Sequence, residues 1–159
     1  MSANVSTKER INISQTVANI ASNLPQRLGN RYRVSLSPGE AIPEFQAPRS
    51  GSIPDIFVYD NQTNALTMIE VDGPVPSFDQ PLATVPELDR VRATFGNYDT
   101  TMVLVTGARV PGQLQSALQN DNIELVQYRD LDQTLSELAN VIKKSSKGHT
   151  DQEFIAPLL

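Results

Sequence analysis

Two short apolar runs, Ile56-Phe57-Val58-Tyr59 and Leu66-Thr67-Met68-Ile69-Glu70-Val71, flank Asp60-Asn61-Gln62-Thr63-Asn64, a stretch of strong turn preference. The pattern predicts an antiparallel hairpin whose turn is longer than the tightest type. Side chains two residues apart on a strand share a face, so Glu70 and Asp72 project together while Val71 faces the opposite layer. Pairing of the two runs then brings Asp55, at the start of the first strand, beside Glu70 near the end of the second. Carboxylates that close repel one another and raise one another's pKa unless a cation sits among them. Mg²⁺ suits such a site, because it is a hard ion that takes oxygen ligands and keeps several waters. Asp55, Glu70 and Asp72 are its candidate ligands, and Mn²⁺ is the alternative ion. An ion there could polarise a phosphodiester, generate a hydroxide nucleophile and stabilise the leaving oxygen. A plainer reading stays open, in which Asp55 caps a turn after Pro54 and Asp72-Gly73 forms the next turn. Glu70 fits it less well, since an acid inside Met68-Ile69-Glu70-Val71 is partly buried and needs a partner.

The elements around the hairpin follow from periodicity. Ile13, Val17, Ile20, Ala21 and Leu24 recur at helical spacing, with Thr7 as a cap and Pro25 as the stop. Tyr32, Val34 and Leu36 alternate with polar residues as a half-buried strand, and a Pro-, Gly- and Ser-rich stretch to Ser52 reads as an irregular loop. Beyond the prolines at 74, 76 and 81, Thr84 and Glu87 are spaced as a capping box for a helix that ends at Gly96. Met102 to Val105 reads as a strand buried on both faces, Pro111 to Gln119 as a helix and Ile123 to Tyr128 as a strand. Asp130 caps a last helix lined by Leu131, Leu135, Leu138 and Ile142. A meander followed by β-α-β crossovers predicts an α/β (α+β) fold, a central mixed sheet flanked by helices. Residues 1–143 are expected to form a single domain and residues 144–159 a tail. The apolar end of that tail, Phe154 to Leu159, is expected to dock on the fold or on a partner.

Composition narrows the chemistry. The 159 residues, 39% hydrophobic and 19% charged, suit one globular domain, with no bilayer-spanning run or leading signal; a cytoplasmic protein that does not engage membranes is expected. Without cysteine there are no disulfides or thiolate metal sites, and the single histidine, His149, lies in the polar part of the tail. The net charge of -5 argues against binding nucleic acid by bulk electrostatics. Local basic clusters remain: Arg27, Arg31 and Arg33; Arg90 and Arg92; Lys143, Lys144 and Lys147. Each also reads as ordinary solvated charge.

Pro54-Asp55, followed fifteen residues after the Asp by Glu70-Val71-Asp72-Gly73, resembles the signature of the PD-(D/E)xK nuclease superfamily, with Asp72 in place of the usual Lys. The E-V-D-G version is similar to the branch containing very-short-patch repair endonuclease-like proteins. In that branch a helix with D-x-x-R or D-R and then an apolar strand follow, and Asp89-Arg90 and Met102 to Val105 stand in those places. The resemblance spans roughly Ile53 to Thr106. It implies a restriction-endonuclease-like fold, with Asp55 and Glu70 as metal ligands. Asp72 would replace the lysine that orients or deprotonates the attacking water, and Arg90 would supply the missing positive charge. Two departures bear on activity. An Asp offers the scissile phosphate no positive charge, and the His that tends to follow the strand is replaced by Pro76-Ser77-Phe78-Asp79.

Three functions follow as expectations. The first is a metal-dependent phosphodiesterase or endonuclease acting on DNA through Asp55, Glu70, Asp72 and Arg90. The second is a nuclease-fold protein that no longer cuts and serves as a binding or assembly subunit, as a homodimer or with a protein partner. The third is an unrelated small α/β regulatory domain in which the hairpin acids are surface features, a reading that a wide separation of Asp55 from Glu70 would favour.

Overall fold

The middle strands of this chain are apolar on both sides, so helices must cover both faces of any sheet they form. A computed structural model describes residues 2–42, 54–72, 81–107 and 110–158, with side chains described for 13–37, 40–42, 54–72, 85–107 and 110–145. The elements are α1 (Ser2–Leu28), β1 (Tyr32–Ser35), α2 (Pro38–Ala41), β2 (Ile56–Asp60), β3 (Ala65–Asp72), α3 (Pro81–Thr94), β4 (Asp99–Thr106), α4 (Gly112–Asn120), β5 (Ile123–Gln127) and α5 (Leu131–Leu158). The strands form one sheet in the order β1-β2-β3-β4-β5. The pairs β1/β2 and β2/β3 are antiparallel, and β3/β4 and β4/β5 are parallel. This is the mixed, helix-flanked α/β sheet that the element order predicts.

Strand alternation sorts the core into two layers. Ile56, Val58, Ile69, Val71, Val103, Val105 and Val126 pack against Ile20, Leu24 and Leu28 of α1 and Leu135, Leu138 and Ile142 of α5. Phe57, Tyr59, Leu66, Met68, Met102, Leu104 and Ile123 meet Leu88 and Val91 of α3, Leu114 and Leu118 of α4, and Phe95. Phe57 and Phe95 meet edge-on, with ring centroids 5.4 Å apart. Arg27 ties the first layer together at its rim by bonding Asp132 and the Ser136 hydroxyl of α5.

Buried polar bonds hold the turn of the β2–β3 hairpin. Asp60, only 1% exposed, receives Nε of Arg31 at 2.8 Å and Nη2 at 2.7 Å. The same carboxylate accepts the Gln62 N–H and the Thr63 hydroxyl. Asn64 takes a left-handed φ of 64°, which Asn tolerates better than most residues, and its Oδ1 accepts the Tyr59 hydroxyl.

Several boundaries differ from the sequence reading. α1 begins at Ser2, ahead of the expected Thr7 cap, and runs through Pro25 to Leu28. Pro25 is exposed, so its missing bond falls on the solvent side, while Leu24 and Leu28 keep the helix anchored. Gly29, at φ 90°, ends the helix. Leu36 lies outside β1 and is 53% exposed. The chain turns away at Ser35, whose hydroxyl accepts the Ser37 N–H and donates to the Ser37 carbonyl. α2 forms a single turn inside the stretch read as loop, and residues 43–53 lie outside the described set. Asp130 caps α5 as expected, its Oδ1 accepting the Gln133 N–H at 2.8 Å. α5 then continues to Leu158, so residues 144–158, read as tail, extend this helix; the side chains of His149 and of the apolar end lie outside the described residues. Among the described residues no helix is long and apolar enough to cross a membrane.

Candidate active site

Register brings the first two acids together. Ile56 pairs with Ile69, so the next position along the antiparallel ladder sets Asp55 beside Glu70. The Asp55 N–H donates to the Ile69 carbonyl at 3.1 Å, and Asp55 Oδ2 accepts the Val71 N–H at 2.8 Å. Asp55 thus closes the open end of the hairpin with its side chain as well as its backbone, and the plainer structural role is present beside any chemical one. Asp55, Glu70 and Asp72 alternate in phase with Phe57, Leu66 and Met68, so all three belong to the face covered by α3 and α4.

The electrostatics reflect this crowding. Burial first, then the charge of Asp55 and a side-chain hydrogen bond with it, and then Asp72 and Glu87, raise Glu70 from 4.5 to about 9. Asp72 is also raised, by burial and then by Asp55 and Glu87. A hydrogen bond between two carboxyls needs a proton on one of them, so at neutral pH the pair holds either a proton or an external cation. Two adjacent carboxylates suit the chemistry of Mg²⁺ or Mn²⁺, which bind through one or two such groups. Among the described residues no group of three or more His, Asp or Glu is gathered closely enough to hold a metal by itself. Asp55 and Glu70 are therefore the pair that would hold an ion, with Asp72 at their margin.

Arg90 lies on α3, three residues beyond Glu87. Its side chain is exposed on α3, and its carbonyl accepts the Thr94 hydroxyl. Asp89, its neighbour in the D-R dipeptide, hydrogen-bonds Asp121 near the end of α4, and that bond raises its pKa. The acid from α3 that does reach the site is Glu87. Sequence reasoning assigned Glu87 to a capping box with Thr84, but α3 starts at Pro81, which places both residues inside the helix.

The rim continues along the ends of the parallel strands. Asp72 pairs with Thr106, and Thr106 with Gln127. Thr106 is fully buried and follows Met102 and Leu104 in phase, so it shares the acids' face. A polar residue ending an apolar run was the available signal, as it was for Glu70. Comparison with known protein families, curated proteins and solved structures finds no match to this chain.

Proposed function

We propose that this protein is a metal-dependent phosphodiesterase of the PD-(D/E)xK type, an endonuclease acting on DNA in the cytoplasm. The observation that carries the reading is the Asp55–Glu70 carboxyl pair, fixed by β-sheet register at the end of β3 with Asp72 on the same face. Paired acids on adjacent strands are held by backbone bonds and need no rearrangement to receive a cation. A bound Mg²⁺ would supply Lewis acidity toward a phosphodiester and activate water there. Asp55 and Glu70 would hold it, and Asp72 and Glu87 would take up a proton from water. Arg90, on the solvent side of α3, would meet the phosphate backbone outside the acid cluster.

The test incubates the purified chain with plasmid and single-stranded DNA in Mg²⁺ or Mn²⁺, beside Glu70→Ala. Cleavage by the wild type and its loss in the variant are expected. Equal activity in the two proteins, or none in either, would overturn the nuclease reading.

A second reading, a nuclease-fold binding or assembly subunit that does not cut, is favoured by one feature. The residue that α3 adds to the acids is Glu87 rather than a lysine or arginine. Retention of DNA or of a protein partner by a chain that never cleaves is its expected result.

A further inference from the structure

Behind the acid site, on the α1 side of the sheet, a cavity of about 280 Å³ opens at the carboxyl ends of β3, β4 and β5. Ligands of open α/β sheets bind outside the carboxyl ends of the strands. Val71 and Tyr128 form its apolar walls, and both belong to the layer between the sheet and α1 and α5. Gln15, Thr16 and Asn19, one face of α1, supply its polar side. Asp72 lines it as well, so this one residue borders both the cavity and the acids.

Three properties define what fits. The volume lies just under the roughly 300 Å³ at which sites for drug-sized ligands begin, which suits a single ring system. Among the described residues that line it none is basic, so these residues offer a phosphate no counter-charge. Two carboxamides and a hydroxyl offer donors and acceptors together, the combination that reads the edge of a nucleobase, and a tyrosine supplies a ring to stack on.

We infer that this cavity takes one unpaired nucleobase of a nucleic-acid strand, with the neighbouring phosphate lying across the end of β3 toward Asp55 and Glu70. The inference rests on the nucleic-acid reading above and adds a substrate class to it: a strand with an unstacked base at the site of attack rather than an intact duplex. Extrusion of a base costs least where it is mismatched, damaged or already single-stranded, so the cavity would select such substrates.

The experiment titrates the full-length, ¹⁵N-labelled chain with each of the four deoxynucleosides in buffer containing EDTA, following the side-chain amides of Gln15 and Asn19 and the backbone amide of Gly107. A saturable shift with at least one nucleoside is expected. It should weaken roughly tenfold in Asn19→Ala or Gln15→Ala, since a lost edge contact is worth about that factor. Both substitutions suit a helix. Gln119→Ala, on the exposed side of α4, should bind as the wild type does. No saturable shift with any nucleoside would overturn the inference. So would equal shifts from deoxyribose or inorganic phosphate alone, or wild-type binding by both α1 variants. Binding needs no metal and no turnover, so the two readings fail separately: a chain that binds nucleosides but cuts nothing keeps the cavity and loses the nuclease, and the reverse result does the opposite.

Discussion

Arg31 grips Asp60 through two nitrogens, at 2.8 and 2.7 Å, and so fastens the segment between α1 and β1 to the turn of the β2–β3 hairpin. Asp60 is 1% exposed, and the Arg31 side chain 26%. Removing one partner of such a pair leaves the other charge buried without compensation. Arg31→Ala, which leaves the buried Asp60 charge without its cation, is expected to cost about 3 kcal/mol in urea unfolding. A loss under about 1 kcal/mol would show instead that the pair behaves as an exposed one.

The pH dependence of stability should carry the signature of Glu70. Its folded pKa is raised from 4.5 to about 9, so between those values the folded chain holds a proton that the unfolded chain has released. Stability therefore falls as pH rises through this window and levels off above it. The raised Asp72 adds to the fall in the same direction. Melting followed by circular dichroism should show a declining Tm for the wild type and a shallower decline for Glu70→Gln, which keeps the shape without the charge. Parallel profiles would remove Glu70 as the cause.

Divalent cations should reverse that decline. An ion held by Asp55 and Glu70 competes with the shared proton, so Mg²⁺ should raise the Tm more on the alkaline side than on the acid side. At a hundredfold excess over Kd the gain is about 2.7 kcal/mol. Calorimetric titration in two buffers of different ionisation enthalpy should record proton release. Glu70→Gln should lose both effects, and a Tm gain that survives the substitution would place the ion elsewhere.

The two α3 residues make opposite predictions. Glu87 raises both Glu70 and Asp72, so Glu87→Gln should move the Glu70 midpoint, read from its side-chain carboxyl carbon by NMR, toward the ordinary value. Arg90→Ala, on the exposed side of the helix, should leave that midpoint in place and change stability by no more than about 0.5 kcal/mol. A midpoint moved by Arg90→Ala would bring that arginine back to the acids.

The acids on the hairpin were legible because their signal is local. Strand alternation places Glu70 with Asp72, and the turn length sets Asp55 opposite Glu70, all within nineteen consecutive residues that the structure describes, 54–72. Glu87 was hidden by a rival local pattern, since Thr84 and Glu87 have the spacing of a capping box whether or not a helix begins there. Pro25 misled in the same way: proline weakens a helix interior, yet burial of Leu24 and Leu28 outweighs one missing bond in the last turn. Arg90 followed from a dipeptide, and on α3 it is exposed three residues from Glu87. Thr106 and the α1 wall of the cavity depend on the β3–β4–β5 register and on helix packing, which no short window contains.

β3 meets its two neighbours by routes of different length, which gives the acid cluster a history. Its bond with β2 closes over a short turn, an event on the order of microseconds, whereas β4 can dock only after α3 has crossed the sheet. The Asp55–Glu70 contact therefore rests on local pairing alone. Glu87 and the overlying apolar layer arrive with the crossover, and the mutual repulsion of the acids reaches full strength only as the last surface closes. A proton or a cation taken up at that moment would ease the final step of folding, so occupancy of the site and completion of the fold belong to one event.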